Sequence, residues 1–432
     1  MSELPQGWVS APLSDVGRLV SGAGFPEALQ NKKDLRYPFF KVGNLGEVES
    51  GKPLLQSAHT VDDDIARALN ATVIPKDAIA FAKIGMAIRL NRRRMIGVPS
   101  CIDNNLMAVI PSQAVLPAYL LRFLETVDLM PLTQATTVPA LRKSDLEALE
   151  VPLPPLNEQR RIVAKLEKLL GRVDAAQARL GTIIRILKRF RQSVLAAACS
   201  GDLTVVWREE NGANGDWPIQ SLSELFTMRN GKSLTAANRK DGGVPVYGGN
   251  GLMGTHNEAN ANGQIIVIGR VGAQCGNVHY VSGKVWVTDN AIALQAKKQL
   301  VPAFYASFLR SQNLNQISGG TGQPYLSQEI LSPLDSPVVP FVEQQEIVRR
   351  VEALFKTADA LEARYRTAKA HVDKLTPSIL AKAFRGELVP QDPNDEPAWA
   401  LLSRIRGDRP SMIVRVGDAG KTDRKNAMAS KR

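Results

Sequence analysis

The stretch PPLNEQRRIVAKLEKLLGRVDA (154–175) returns later in the chain as VPFVEQQEIVRRVEALFKTADA (339–360). Glu158 matches Glu343 and Ile162 matches Ile347, in each case 185 positions apart. The match extends without a gap from residues 115–203 to residues 300–388. The chain is therefore a tandem duplication. Two copies of one unit in one polypeptide form a pseudo-dimer, which is suited to reading two half-sites on a periodic partner.

Both copies of this stretch predict a long helix, because their apolar residues alternate in steps of four and three, as in a coiled-coil seam. The seam runs from Ile162 to Ala197 in the first copy and from Ile347 to Ile379 in the second. A helix from 157 to 198 would be roughly 60 Å long. We expect the two helices to pack on each other, with Thr376-Pro377 marking either a kink or the start of a new short helix.

A mixed segment precedes each long helix, and we call these segments the first head (residues 1–150) and the second head (216–335). Short β runs such as QIIVIG (264–269) alternate with Gly/Asn-rich turns and one helix, PAYLLRFLET (117–126) in the first head and PAFYASFLRS (302–311) in the second. HTVDDDIARALN (59–70) predicts an added helix in the first head. The fold class predicted for both heads is α/β (mixed).

The remaining boundaries follow from the repeat and from composition. The first long-helix segment spans 151–203, a linker spans 204–215, and the second long-helix segment spans 336–390. Residues 391–432 form a C-terminal segment, whose basic and weakly hydrophobic end predicts a disordered tail.

The charge of the chain points to an anionic partner. The formal net charge is +12 over 432 residues, which favours nucleic acid over a membrane because no basic amphipathic anchor is visible. No apolar run approaches the ~18 residues that span a bilayer, so we expect a cytoplasmic location. Cys101, Cys199 and Cys275 are far apart and predict ordinary reduced thiols.

Motifs for catalysis are missing from the sequence. It contains no HExxH, no Cys/His set with metal spacing, and no Asn/Asp-Pro-Pro-aromatic tetrad of amino-methyltransferases. We therefore predict no catalytic residue, no metal site and no cofactor bound by this chain. Gly249, Gly251 and Gly254 have dinucleotide-binding spacing, but no helix follows them, so a tight turn is the better interpretation.

Lys83 and Arg270 are the leading candidates for DNA contact. Each stands at the end of a β run and before a glycine, so both heads present a cation on a turn. Such a cation can contact a base edge or a phosphate, or it can simply face solvent. RLNRRRM (89–95) places further cations in a predicted loop, which is either a phosphate clamp or a soluble turn: Arg89, Arg92, Arg93 and Arg94.

The other candidates are polar residues on turns. Lys41 and Asn44 in the first head, and Asn250 in the second, follow short β runs and could read bases, although turns also favour Asn for conformational reasons. Gln323 and Tyr325 flank a proline, whereas Val138 and Ala140 stand at the matching positions of the first head. Gln274 and His279 are weaker candidates.

Several strings together resemble one family. They include VPLPPLNEQRRIVAKLE (151–167), QSVLAAACSGDLT (192–204), PSILAKAFRGELVPQDPNDEPA (377–398) and VPVYGGNGLMG (244–254). In their order along the chain they resemble the specificity subunit of type I restriction-modification systems. The resemblance implies two target-recognition domains joined by two antiparallel helices, which read the two halves of an interrupted, asymmetric sequence in double-stranded DNA.

The resemblance also implies the partners of the chain. Two modification subunits would carry S-adenosylmethionine and methylate adenine, and restriction subunits would cleave DNA with ATP and Mg2+. The alternative from another class is a coiled-coil scaffold that joins two protein-binding heads without recognising DNA.

Overall fold

The computed structural model describes residues 4–49, 51–134, 138–213, 215–320 and 323–407, so the basic tail predicted to be disordered lies outside the described residues. The chain divides into two units. Unit 1 takes in the described residues up to Ala176 and from His371 onward, and unit 2 runs from Gln177 to Ala370. Among the described helices, none has the length and apolar character that a membrane span requires.

Two helices in the described part of the chain are far longer than the rest, as the heptad pattern predicts. The helices are α1 (Leu13–Val16), α2 (Asn44–Glu47), α3 (Asp63–Ala68), α4 (Pro117–Thr126), α5 (Lys143–Glu147), α6 (Leu156–Ser200), α7 (Val205–Glu210), α8 (Leu222–Leu225), α9 (Pro302–Ser311), α10 (Gln328–Leu331), α11 (Phe341–Phe384) and α12 (Ala398–Gly407). The helices expected at α3, α4, α6, α9 and α11 are confirmed. Because α11 continues through Pro377, the alternative of a new helix starting there is wrong.

Unit 1 contains three small sheets. The strands are β1 (Val9–Pro12), β2 (Gly17–Ser21), β3 (Tyr37–Phe40), β4 (Thr60–Val61), β5 (Ile79–Ala82), β6 (Arg93–Met95), β7 (Cys101–Ile102), β8 (Leu106–Pro111) and β9 (Glu150–Leu153). Four of them form an antiparallel sheet in the order β2-β8-β5-β6, and β1 pairs with β9 where the head meets α6. In the third sheet, β3 pairs with β7 in parallel.

Unit 2 repeats this arrangement, with two much longer strands. Its strands are β10 (Ile219–Ser221), β11 (Phe226–Asn230), β12 (Val244–Gly248), β13 (Gly251–His256), β14 (Ala261–Gly269), β15 (Val278–Val287), β16 (Ala291–Ala296) and β17 (Asp335–Pro337), and the two long ones are β14 and β15. One sheet has the order β11-β16-β14-β15-β12-β13, in which β12 and β15 are parallel. In unit 2, β15 pairs with both β12 and β14 and so joins them into one sheet. The corresponding strands of unit 1 belong to two separate sheets. Both heads are therefore α/β (mixed), as predicted.

Each unit has its own hydrophobic core, which includes the start of one long helix and the end of the other. In unit 1, Ile162 and Leu166 of α6 share a core with Leu380 and Ala383 of α11. In unit 2, Ile347 and Val351 of α11 share a core with Val194 and Ala198 of α6. Burying each large aliphatic side chain stabilises the fold by about 1.5–3 kcal/mol, so both helix ends help to hold each head.

The packing of α6 on α11 is antiparallel within unit 2. Arg191 forms ion pairs with Asp359 and Glu362, at 2.6 Å and 2.9 Å. Just beyond the end of α6, the carbonyl oxygen of Leu203 accepts a hydrogen bond from Arg350 at 2.7 Å. The partner numbers fall as these residue numbers rise, which defines the antiparallel direction.

The continuous seam expected from the heptads is buried only in part. Ile183 and Phe190 of α6, and Leu361 and Leu375 of α11, are all more than a third exposed. An apolar knob is fully covered only when a facing hole of four residues surrounds it. Near the ends of the helices the heads complete that cover, whereas these four residues remain open to solvent.

Candidate nucleic-acid interface

A tryptophan and a glutamate attach each head to its long helix. The indole nitrogen of Trp8 donates a hydrogen bond of 3.0 Å to Glu158, and that of Trp217 donates one of 3.1 Å to Glu343. Both carboxylates are 1% exposed. Since a buried carboxylate is costly without partners, each pair ties the opening residue of the head to the first turn of the helix.

The glutamine that follows each of these glutamates fastens a second element of the head. The side chain of Gln159 accepts a hydrogen bond from the backbone N–H of Leu116 at 2.8 Å. The side chain of Gln344 accepts one from Val301 at 2.6 Å. Leu116 and Val301 are the residues that precede α4 and α9. Sequence reasoning assigned no role to these glutamines, although their recurrence as Glu-Gln at 158–159 and 343–344 was a usable signal.

The glutamates have different surroundings in the two units. Glu158 accepts a hydrogen bond from Gln391, a neutral partner, and burial raises the pKa of its carboxyl group. Glu343 accepts a hydrogen bond from Thr204 at 2.7 Å and lies 3.4 Å from the guanidinium of Arg208. The second unit therefore supplies a cation where the first supplies an amide.

Lys83 and Arg270 occupy equivalent places in the two heads, as predicted. Lys83 follows β5, and its carbonyl oxygen accepts a hydrogen bond of 3.0 Å from the N–H of Leu141. Arg270 follows β14, and its carbonyl oxygen accepts one of 2.8 Å from Leu326. Both side chains are half-buried.

The glycines after these cations extend the same pairing. The N–H of Gly85 donates to the carbonyl oxygen of Pro139 at 2.8 Å, and that of Gly272 donates to Pro324 at 3.1 Å. Gly85 and Gly272 have φ values of +80° and +77°, a conformation that favours glycine. Each head thus has a cation turn that is hydrogen-bonded to a proline segment, and we call the two together the paired loop. It comprises residues 83–86 and 138–141 in the first head, and residues 270–274 and 323–326 in the second.

The paired loop of the second head carries polar side chains. Gln274 and Gln323 are exposed, and Tyr325 forms a β-bridge with Val271 that holds its side chain at the surface. The buried Nε of Arg270 has no hydrogen-bond partner. The structure thus brings together four candidates that are distant in sequence: Arg270, Gln274, Gln323 and Tyr325.

The glycine turn of the second head lies beside Arg270. Asn250 is exposed at the tip of the β12–β13 hairpin, where Gly248 pairs with Gly251, so the prediction of a tight turn is confirmed. The position that a Cβ of Gly249 would occupy is 3.5 Å from the Cα of Gly269, the residue before Arg270. Asn250 and the paired loop therefore belong to one surface.

His279 supports this glycine turn from behind. A Cβ on Gly251 would lie 3.0 Å from the His279 ring, so a larger residue there would displace the ring. Burial, together with the nearby Arg310, lowers the pKa of His279, and its Nε2 is buried without a partner. His279 also lines a cavity of about 690 Å³ with Arg310 and Asn315. We assign it mainly to the support of the turn.

In the first head, the candidates Asn44 and Lys41 are bonded to neighbouring side chains and backbone groups. The amide of Asn44 is buried and engaged at both ends, since its oxygen accepts from the N–H of Lys41 at 2.8 Å and its nitrogen donates to Glu47 at 2.9 Å. Asn44 braces the turn before α2 in this structure. The ammonium of Lys41 donates to Gln30 at 3.0 Å and is half-buried.

The arginine run 92–94 is not the loop that the sequence predicted. Arg93 and Arg94 lie in β6, are 1% and 8% exposed, and donate to Asn91 and to the carbonyl oxygen of Val48. Burial lowers the pKa of Arg93 to about 10. As a phosphate clamp the prediction is wrong for these two, because their guanidinium groups are occupied inside the head. Arg92 is exposed, and so is Arg89 at the end of the 3-10 helix Met86–Leu90.

Within the described residues, no group of three or more His, Cys, Asp or Glu side chains could hold a metal ion. Cys101 and Cys275 are buried free thiols, Cys199 is a half-buried one, and burial raises the pKa of Cys101 to about 11. Asp103 is buried and accepts a hydrogen bond from the N–H of Asn105, so it braces the head internally. The polar groups that converge on the two heads are suited to binding.

A model of the type I restriction modification DNA specificity domain matches residues 5–183 and 214–369 of this chain. The chain belongs to this family. The two matched ranges correspond to the two copies of the repeat, and DNA recognition is the role of the family.

Individual family members match over nearly the whole chain. The specificity subunit of the type I restriction enzyme StySPI from Salmonella potsdam is 29% identical, over 98% of this chain and 99% of that protein. The EcoKI specificity subunit from Escherichia coli K12 is 27% identical, over 94% of this chain and 96% of its own length.

The fold also matches a solved member of a type I system. A chain from a structure of type I complex assembly and conformational transition covers 90% of this chain and 100% of its own length, with a TM-score of 0.68. Its sequence identity is 20%, so this match supports the fold alone. The shared fold covers most of this chain, including both heads.

Proposed function

We propose that this chain binds a bipartite, asymmetric DNA target, with each head reading one half-site. The observation that carries the proposal is the recurrence of the paired loop, which presents Lys83 in one head and Arg270 in the other on the same backbone frame. Lysine and arginine are the commonest donors to guanine edges and phosphates. Because the side chains around the two cations differ, two different half-sites follow.

The affinity of the chain for DNA is mainly electrostatic in this proposal. The net charge of +12 and the exposed Arg89 and Arg92 favour phosphate contacts, which position a protein on the duplex without reading its sequence. Specificity then depends on the neutral side chains of the paired loops and on Asn250.

The chain is non-catalytic in this proposal and acts through partner subunits. Two modification subunits, which bind S-adenosylmethionine, methylate adenine, and restriction subunits use ATP and Mg2+ to cleave DNA. The exposed apolar residues on α6 support a docking role for the long helices, since Ile183, Ile186 and Phe190 lie on one face of α6 and are 36%, 58% and 36% exposed. Apolar residues clustered on a helix face are suited to packing against helices of another protein.

The experiment that tests this function is a footprinting titration of the chain assembled with the modification subunits of its own system. We expect saturable, sequence-selective protection of two short blocks separated by unprotected bases. Half-sites one helical turn apart would lie roughly 34 Å from each other. If the assembled complex protects no sequence, the chain is a scaffold that joins two protein-binding heads.

A second measurement tests whether the helices control the spacing of the half-sites. Inserting seven residues into α6 preserves its apolar period. We expect the insertion to change the tolerated gap or to abolish activity, while the bases read in each block stay the same. An altered base preference would contradict the assignment of base reading to the heads.

A further inference from the structure

The paired loop of the first head presents an apolar pair where the second head presents polar groups. Ile84 and Ala140 form an antiparallel β-bridge. Beside this bridge, the N–H of Gly85 donates a hydrogen bond of 2.8 Å to the carbonyl oxygen of Pro139. The next residues along the two segments are Met86, which begins a 3-10 helix, and Val138. Their side chains are 58% and 53% exposed, and we call these two residues the apolar edge.

The apolar edge is held on a rigid support. Met86 opens the 3-10 helix Met86–Leu90, and Ile88 within it is 1% exposed, so the turn is anchored in the core of the head. On the other side, the N–H of Leu141 is bonded to Lys83, and Leu141 itself is buried. Little backbone entropy therefore remains to be lost when a partner covers Met86 and Val138.

Cations stand on both sides of the apolar edge in sequence. Lys83 precedes it on the same turn, and the exposed Arg89 follows Met86 within the 3-10 helix. A single exposed apolar residue is ordinary, whereas two on neighbouring segments of one paired loop offer a partner a common apolar contact. The cations favour a polyanion, so an apolar group displayed by DNA is the occupant that fits both observations.

Only one group on a base edge in the major groove is apolar, and it is the 5-methyl group of thymine. At the matching positions of the second head stand Gln323 in place of Val138 and Ala273 in place of Met86. Gln323 can donate and accept hydrogen bonds at a base edge, which Val138 cannot. The two paired loops therefore differ in the chemistry that they can recognise.

We infer that Met86 and Val138 read a thymine methyl group, so that the half-site of the first head contains an A·T pair at the position facing the apolar edge. This inference rests on the proposed function and adds to it the recognition chemistry of one head. Met86 and Val138 are then specificity-determining residues.

The test replaces each thymine of the first half-site in turn by uracil, which lacks only the methyl group and keeps every hydrogen bond. Affinity is measured for the complex of this chain with its modification subunits. One substitution should weaken binding about fourfold, the factor expected for one methyl group removed from an apolar contact. If the complex binds its target selectively but every uracil is silent, the inference is overturned while the proposed function stands.

Variants of the apolar edge test whether Met86 and Val138 contact that methyl group. In Met86→Ala and Val138→Ala, the penalty for uracil at the sensitive position should fall toward onefold, while the effects of uracil in the second half-site stay as in the unmodified chain. Leu55→Ala is the matched control, since Leu55 is equally exposed at 53% and lies in the first head outside the paired loop. It should keep the full uracil penalty.

The variants also separate other occupants of this surface. If Met86→Ala and Val138→Ala weaken binding to all duplexes by the same factor, the pair contacts DNA without reading thymine, and the inference is wrong. If they instead weaken assembly with the modification subunit, the occupant is a protein and the inference is equally wrong. Thermal unfolding of each variant shows whether the head remains folded, and Val138→Ile provides a form that retains the apolar contact.

Discussion

The two heads have the same attachment to the long helices but different exposed surfaces. Trp8 and Trp217 bond to matching glutamates, and the glutamines after those glutamates bond to matching backbone groups. By contrast, the β12–β13 hairpin with Asn250 has α2 in its place in the first head, and the proline segments carry different side chains.

The residues of each copy therefore fall into two groups. One group, which we call the frame, recurs in both copies and attaches the head to its long helix, as Trp8, Glu158 and Gln159 do; the other group differs between the copies. Residues that recur at one fixed offset bury polar groups or close a core, so a change in one copy alone would leave a partner unsatisfied. Other differences lie at exposed positions of the paired loops, such as Val138 against Gln323, where substitution costs little stability. At such positions the two heads can come to differ in what they bind without a change in fold.

The largest expected effect comes from removing one glutamate of the frame. Glu343→Ala would leave the partly buried Arg208, with 19% of its side chain exposed, facing an empty site and would remove the acceptor of Thr204 and Trp217. The cost is about 3 kcal/mol, the lower end for a broken buried ion pair. Glu158→Ala would leave only the neutral donors Trp8 and Gln391, which costs about 1–3 kcal/mol. Hydrogen exchange should show the loss of protection in unit 2 for the first variant and in unit 1 for the second. Equal losses would mean that Arg208 contributes nothing to the difference.

A smaller effect is expected from each cation of the paired loops. Lys83→Ala and Arg270→Ala should each weaken binding of the assembled complex by about 1–3 kcal/mol and relax base preference in one half-site only. Competition binding with randomised half-sites measures both quantities. If either variant loses base preference in both half-sites, the two heads do not read separate half-sites. Lys52→Ala, in an exposed turn of the first head, is a suitable control.

The smallest effect is expected within the arginine run of the first head. Arg92→Ala should lower the slope of log affinity against log salt by about one, since it removes one exposed phosphate contact. Arg93→Ala should leave that slope unchanged and lower the thermal stability of the head, because Arg93 is buried and bonded to Asn91. A salt slope that falls equally in both variants would show that Arg93 turns outward to meet DNA.

Local patterns predicted much of the fold. The period of α6 and α11, the helices α4 and α9, and the strand ends before Lys83 and Arg270 all depend on residues near one another in the chain. The register of β6 was not predicted, because RLNRRRM has the composition of a polar loop and only pairing with β5 turns Arg93 and Arg94 inward. The local pattern also left open whether Asn44 reads a base or braces its turn, and in the structure its amide is bonded to Lys41 and Glu47.

The sequence by itself determined the duplication, the two long helices and the asymmetry between the heads, since repeats and periodicity need no knowledge of distant contacts. Only the tertiary structure decided which side chains share a surface. Lys83 meets Leu141, and Arg270 meets Leu326, through hydrogen bonds between segments far apart in the chain. Such pairing depends on how sheets and loops satisfy each other's backbone groups, and no local pattern encodes it.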